Sequence, residues 1–232
     1  MNFRGNLQSI SRSEGLSFLF VFAIVLGGVI SSQISRTFYE ATYSVEDGFA
    51  EWLTVLALMM GAGINFYRAY ILRPFRSKTF IVMLTLLGCL FVFGLLEEIS
   101  YGQRIFGFES PEWFKEHNTQ EEFNLHNLKL EGLRINKVIF GTFLGILIGI
   151  YFLIMPALYR KMEKVKNVVD NLALPVPKMF HIGAYILLAL LGEAVNSPKK
   201  GEMLEFGGCW IFFLMTIRPF NRHIFSRRSL NY

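Results

Sequence analysis

The sequence predicts an all-α, polytopic membrane helix bundle with about six transmembrane helices. Both termini are expected to be cytoplasmic, and the long outer loop should carry short interfacial helices. Three observations lead there. The 232 residues are 53% hydrophobic and only 18% charged, whereas soluble domains carry about 25% charged residues. The apolar residues come in blocks of bilayer-crossing length. The segments between the blocks alternate in charge without exception.

The blocks lie at about 15–32, 49–72, 79–102, 137–159, 179–196 and 204–220, one transmembrane domain over 1–232. The first follows Arg4 and Arg12. It is long for a signal peptide, has no clear small-x-small cleavage site, and reads as an uncleaved span. One side receives Arg4 and Arg12, then Arg73, Arg76 and Lys78, then Arg160, Lys161, Lys164, Lys166 and Lys178, then Arg218, Arg222, Arg227 and Arg228. The other receives Glu40, Glu46 and Asp47, the acidic stretch from Glu97 to Glu131, and the stretch from Ser197 to Glu202. Basic loops stay cytoplasmic, so the acidic side faces outward.

The net charge of +5 sits in these short segments, as a topology signal does, and excludes nucleic acid as a partner. Cys89 and Cys209 lie inside apolar blocks; a disulfide between them is one reading, and free thiols packed among helices are the preferred one. Gly141, Gly145 and Gly149 form a four-spaced ridge that suggests close packing of the fourth span. In the outer loop, Ser110-Pro111-Glu112 reads as an N-cap with proline at the first helical position. Trp113 and Phe114 suit the lipid interface. Thr119-Gln120-Glu121-Glu122 fits a capping box opening a second short helix through Phe123 and His126. His181 reads as interfacial, His117 and His223 as solvated.

The acids concentrate at outer helix ends. Asp47 and Glu51 open the second span and share a face. Glu97 and Glu98 close the third, about 100° apart, so that one can point inward. Glu193 closes the fifth, and Glu202 and Glu205 open the sixth. Met179 to Glu193 is about 21 Å of helix and Arg218 back to Glu205 about 20 Å, so both acids fall short of a core about 30 Å thick. Acids at that depth face a bundle interior or wet cavity and have a partner. Arg104, His126, Lys199 and Lys200 are the available cations.

The chemical expectation is a carboxylate and imidazole site opening outward. Glu97, Glu98 and His126 are the candidate catalytic groups. Arg104, Gln103 and Asn127 are the candidate substrate-binding groups. Glu98, His126, Glu193, Glu205, Asp47 and Glu51 are the candidate metal ligands. Such a set suits zinc or manganese, and less well magnesium or calcium. A bound metal would activate water in a hydrolase or transferase acting on a lipid or lipid-linked substrate. The alternative is a non-enzymatic membrane subunit or scaffold whose outer acids form ion pairs or dock a partner, a second protein or a second copy of the chain. An ion pathway ranks last, because the cytoplasmic half is nearly free of acids.

The stretch Glu97-Glu98-Ile99-Ser100-Tyr101-Gly102-Gln103-Arg104 with Asn124-Leu125-His126-Asn127 resembles bacterial multi-pass inner-membrane proteins to which no activity attaches. The Glu-Glu pair is similar to that of CAAX-type intramembrane proteases. There an arginine follows the second glutamate by four residues; here Arg104 follows Glu98 by six, and no second outer histidine is present. Alkaline ceramidase-like hydrolases are similar in being multi-pass with a membrane zinc site, but use several histidines.

Overall fold

A computed structural model of the chain describes residues 10–118, 121–125, 127–130, 133–134 and 143–227. The described chain is mostly helical, with one short antiparallel ladder, Lys129–Leu130 against Leu133–Arg134. Four helical segments are long and apolar enough to cross a membrane. They are α1 (Arg12–Ile34), α3 (Phe49–Leu72), α4 (Lys78–Glu98) and the run Leu144–Lys161. The last comprises α7 (Leu144–Gly149), a π-helical turn at Ile150–Ile154, and α8 (Met155–Lys161). The fifth and sixth blocks form shorter helices, α10 (Met179–Glu193) and α11 (Gly201–Ile217). Between these lie α2 (Arg36–Thr42), α5 (Gln103–Phe106), α6 (Glu112–His117) and α9 (Glu163–Asn171).

Local chemistry sets the ends. Helix α1 begins earlier than its apolar block because Ser11 and Glu14 form a capping box: Ser11 Oγ accepts from Glu14 N, and Ser11 N donates to Glu14 Oε2. Helix α4 stops at Glu98, short of the expected residue 102. Ser100, Tyr101 and Gly102 have φ of 46°, 54° and 80°, left-handed values that cannot continue a right-handed helix. Ser110 does not cap α6. Pro111 holds that position, and the Ser110 hydroxyl is used elsewhere. The second loop helix is not formed over residues 121–125, where Glu121 has φ 59°. Thr119, Gln120 and His126 lie outside the described residues.

Helix α11 is the axis of the bundle. Its Phe206, Ile211 and Met215 are fully buried against Val21 and Val25 of α1, Ala57 of α3, and Leu188 of α10. Glycines allow the closest approaches. A Cβ on Gly61 would lie 2.3 Å from the Phe91 ring, and one on Gly88 would lie 2.7 Å from the Phe66 ring, so α3 and α4 interlock reciprocally. Gly192 with Leu204 and Gly207 with Leu188 do the same for α10 and α11. The expected ridge is not used this way: a Cβ at Gly145 or Gly149 meets nothing within 4 Å, and Gly141 lies outside the described residues.

The two ends of the bundle differ in charge. At the basic end, Lys178 Nζ donates to Glu14 Oε1 at 3.0 Å. Arg68 donates to the Thr216 and Ile217 carbonyls that end α11. Asn221 joins Asp170, Leu174 and Val176. His181 is fully buried here, not interfacial, because its Nδ1 accepts from Lys178 N and its ring lies against Phe18 and Phe180. At the acidic end, Ser32 Oγ accepts from Asn196 N and Gln33 donates to the Ala194 carbonyl, tying α1 to the segment after α10.

Candidate functional site

The site begins with a division within α4. At about 100° per residue, Val82, Leu86, Leu90 and Phe93 fall on one stripe, and all four are exposed. Phe80, Leu84, Gly88 and Phe91 fall on the opposite stripe and are buried. Extending the helix places Glu97 on the outward stripe and Glu98 on the inward one.

Glu97 is nevertheless only 4% exposed. The chain after α4 folds back over it. Tyr101 Oη donates to Glu97 Oε1 at 2.7 Å, and Leu125 N donates to Oε2 at 2.8 Å. The left-handed turn at 100–102 makes the reversal possible, and the rest of the motif holds it. Gln103 Oε1 accepts from Phe123 N at 2.8 Å and lies 3.0 Å from Ser110 Oγ. The Ser110 hydroxyl also reaches the Glu121 carbonyl at 2.7 Å. Ser100 Oγ donates to Glu122 Oε2 at 2.8 Å and accepts from Asn124 Nδ2 at 3.0 Å. Asn124, 1% exposed, also donates to Glu122 and accepts from Asn118. Arg104 closes the clamp, one guanidinium nitrogen on Asp47 and the other on Glu122. An aromatic layer lies beneath, with the Phe123 ring against Tyr101, Phe108 and Phe114.

The clamp's electrostatics follow from these contacts. Burial, and then the hydrogen bond to Glu97, push the Tyr101 phenol up to about 12. Partial burial works against the Arg104 charge. The Asp47 hydrogen bond and the charges of Glu122, Asp47 and Glu46 outweigh it and hold the guanidinium above its ordinary range.

Glu98 points the other way, into the bundle. It lies within electrostatic reach of Glu205, Glu202, Glu51 and Glu46. Cys209 sits below, within reach of Glu98 and Glu205. Acids of α3 and its approach and of α11 thus lie within electrostatic reach of Glu98 of α4, and this acidic region at one end of the bundle is its acidic recess. Glu51 Oε2 accepts from Asp47 N at 2.8 Å, which fixes the rim of α3.

The candidate residues therefore divide. Glu51 and Glu205 lie within electrostatic reach of Glu98. Asp47, Glu97, Gln103 and Arg104 belong to the clamp. Asn127 N donates to Asn124 Oδ1 at 3.3 Å, at the clamp's edge. Glu193 stands apart, paired with Lys200 at 2.6 Å with its side chain 70% exposed. His126 lies outside the described residues. Among the described residues, no group of three or more His, Cys, Asp or Glu is arranged to hold a metal ion. Sequence reasoning missed Glu122, Asn124, Asn118 and Ser100 as clamp members. Ser100 and Asn124 do stand in the stretch that carries the resemblance, and the other signal is the density of polar side chains between 100 and 124. Compared with family models, curated proteins and solved structures, the chain matches none.

Proposed function

We propose that this is a six-span bacterial inner-membrane protein with cytoplasmic termini, acting as a non-enzymatic subunit or scaffold whose outer acidic recess docks a cationic group of a partner. The charge difference between the ends supports the orientation. The observation that carries the docking reading is that four further glutamates, from two other parts of the bundle, lie within electrostatic reach of Glu98. Such a group favours a positive charge in its midst. The clamp supports the non-enzymatic reading, because Glu97, Gln103 and Arg104 are engaged in holding the cap over α4.

The test is binding of a lysine-rich peptide to the full chain in nanodiscs. The native protein should bind, and both Glu98→Gln and Glu205→Gln should weaken binding at least severalfold, each removing one carboxyl group. Absence of peptide binding to the native protein sinks the docking reading. A second reading, the metal-assisted hydrolase or transferase on a lipid, draws on Glu51 and Glu205 lying within electrostatic reach of Glu98. Stoichiometric zinc or manganese in purified protein, lost in Glu98→Gln, would establish the metal and displace the scaffold reading.

A further inference from the structure

Glu97 sits on the stripe of α4 that otherwise carries exposed Val82, Leu86, Leu90 and Phe93. In a bundle of membrane-crossing helices, an exposed apolar stripe on a spanning helix faces lipid. Glu97 is buried on that stripe because Tyr101 and Leu125 cover it. The outer cap must therefore lie beside α4, outside the perimeter of the bundle, where lipid would otherwise be. Height agrees with this position. The 21 residues of α4 rise about 31 Å, the thickness of the hydrocarbon core, so the turn at 100–102 emerges at the level of the headgroups.

At that level the cap exposes apolar side chains. Phe106 is 79% exposed, and Ile105, Phe108 and Trp113 are exposed as well. Arg104, next in sequence to Ile105, is tied to Asp47 and Glu122, and the Trp113 ring stacks on His117 at 4.7 Å. An aromatic pair of this kind, apolar with a polar edge, is the chemistry of the membrane interface.

We propose that the cap rests on the leaflet at the acidic end, beside α4, with Ile105, Phe106, Phe108 and Trp113 set among the headgroups and upper acyl carbons of phospholipid. The occupant is lipid because the cap covers Glu97 at the end of the exposed, lipid-facing stripe of α4. The cap thereby shields the Glu97 carboxylate from the bilayer and anchors the rim of the acidic recess. This placement is independent of what the recess binds.

The test is photo-crosslinking of the full chain in phosphatidylcholine nanodiscs, with p-benzoylphenylalanine replacing Phe106 or, separately, Trp113. Tyr70, 80% exposed on α3, is the membrane-facing control. Both cap positions should gain the mass of one phospholipid on irradiation, as the control does. A lipid adduct at position 70 with none at 106 or 113 would overturn the proposal. So would a crosslinked dimer from position 106, which would assign the surface to a second copy of the chain. Phe106 is almost fully exposed, so its replacement leaves the core packing intact.

Discussion

At Glu97, one carboxylate satisfies the Tyr101 hydroxyl and the Leu125 amide. Removing it strands both donors in a covered site, and an unmet buried donor costs about 1–3 kcal/mol. Glu97→Ala should therefore destabilise the protein by about that much per stranded donor. Glu97→Gln, which keeps one accepting oxygen, should cost less. Denaturation of the full chain in detergent reads both. Tyr101 gives a pH test. Its phenol is held up to about 12 in the fold, against about 10 in an unfolded chain. Between those values the unfolded chain has released the proton and the folded one has kept it, so stability should fall as pH rises from 10 towards 12. Tyr101→Phe should weaken that dependence, and the tyrosinate absorbance change near pH 12 should shrink by the share of one tyrosine. The adjacency of Glu97 and Glu98 was legible, and so was their divergence by about 100°. Their partners were not, because Leu125 is 28 positions away and nothing local announces it.

The element that matters most is the cap, and its geometry rests on Arg104. A guanidinium can address two carboxylates at once; a lysine presents a single point charge. Arg104→Lys should therefore leave helix content unchanged while loosening the cap. Faster amide exchange at Leu125 and Leu128 should report it, with α3 and α4 unaffected. Exchange at those amides equal to native would remove Arg104 from the clamp. The same scale explains two missed expectations. An extended α4 and a capped second loop helix both followed from local sequence rules. Each yielded to a left-handed residue, at Ser100 through Gly102 and at Glu121, which the clamp's long-range hydrogen bonds hold in place. The glycine ridge at 145 and 149 was a correct composition signal without a partner. The close approaches fell at Gly61, Gly88, Gly192 and Gly207, where a bulky side chain sits opposite.

For the whole molecule, the basic end is held by a buried ion pair. Lys178 and Glu14 lie 3.0 Å apart, each side chain 5% exposed, with Arg218 at 3.6 Å from the same carboxylate. They join α1 to the segment entering α10. Breaking a buried pair on one side costs about 3–5 kcal/mol, because a charge is left uncompensated. Lys178→Met should approach the lower end of that range, since Arg218 remains. Adding Glu14→Gln should recover part of the loss. Thermal unfolding of the single and double variants in detergent measures the cycle, and strict additivity would mean that the pair does not couple the two segments.

The sequence alone settled that the chain is helical and membrane-like, roughly where the long helices run, and that positive and negative charge segregate to opposite ends. These are sums over neighbouring residues, and hydropathy and loop charge are read locally along the chain. Only the tertiary structure decided that Glu97 is a covered anchor while Glu98 faces the other acids. It also decided that Glu193 stands apart with Lys200, and that the loop from 100 to 125 folds back as a cap. A polar side chain's role is set by which atoms surround it, and here those atoms come from segments far apart in the chain.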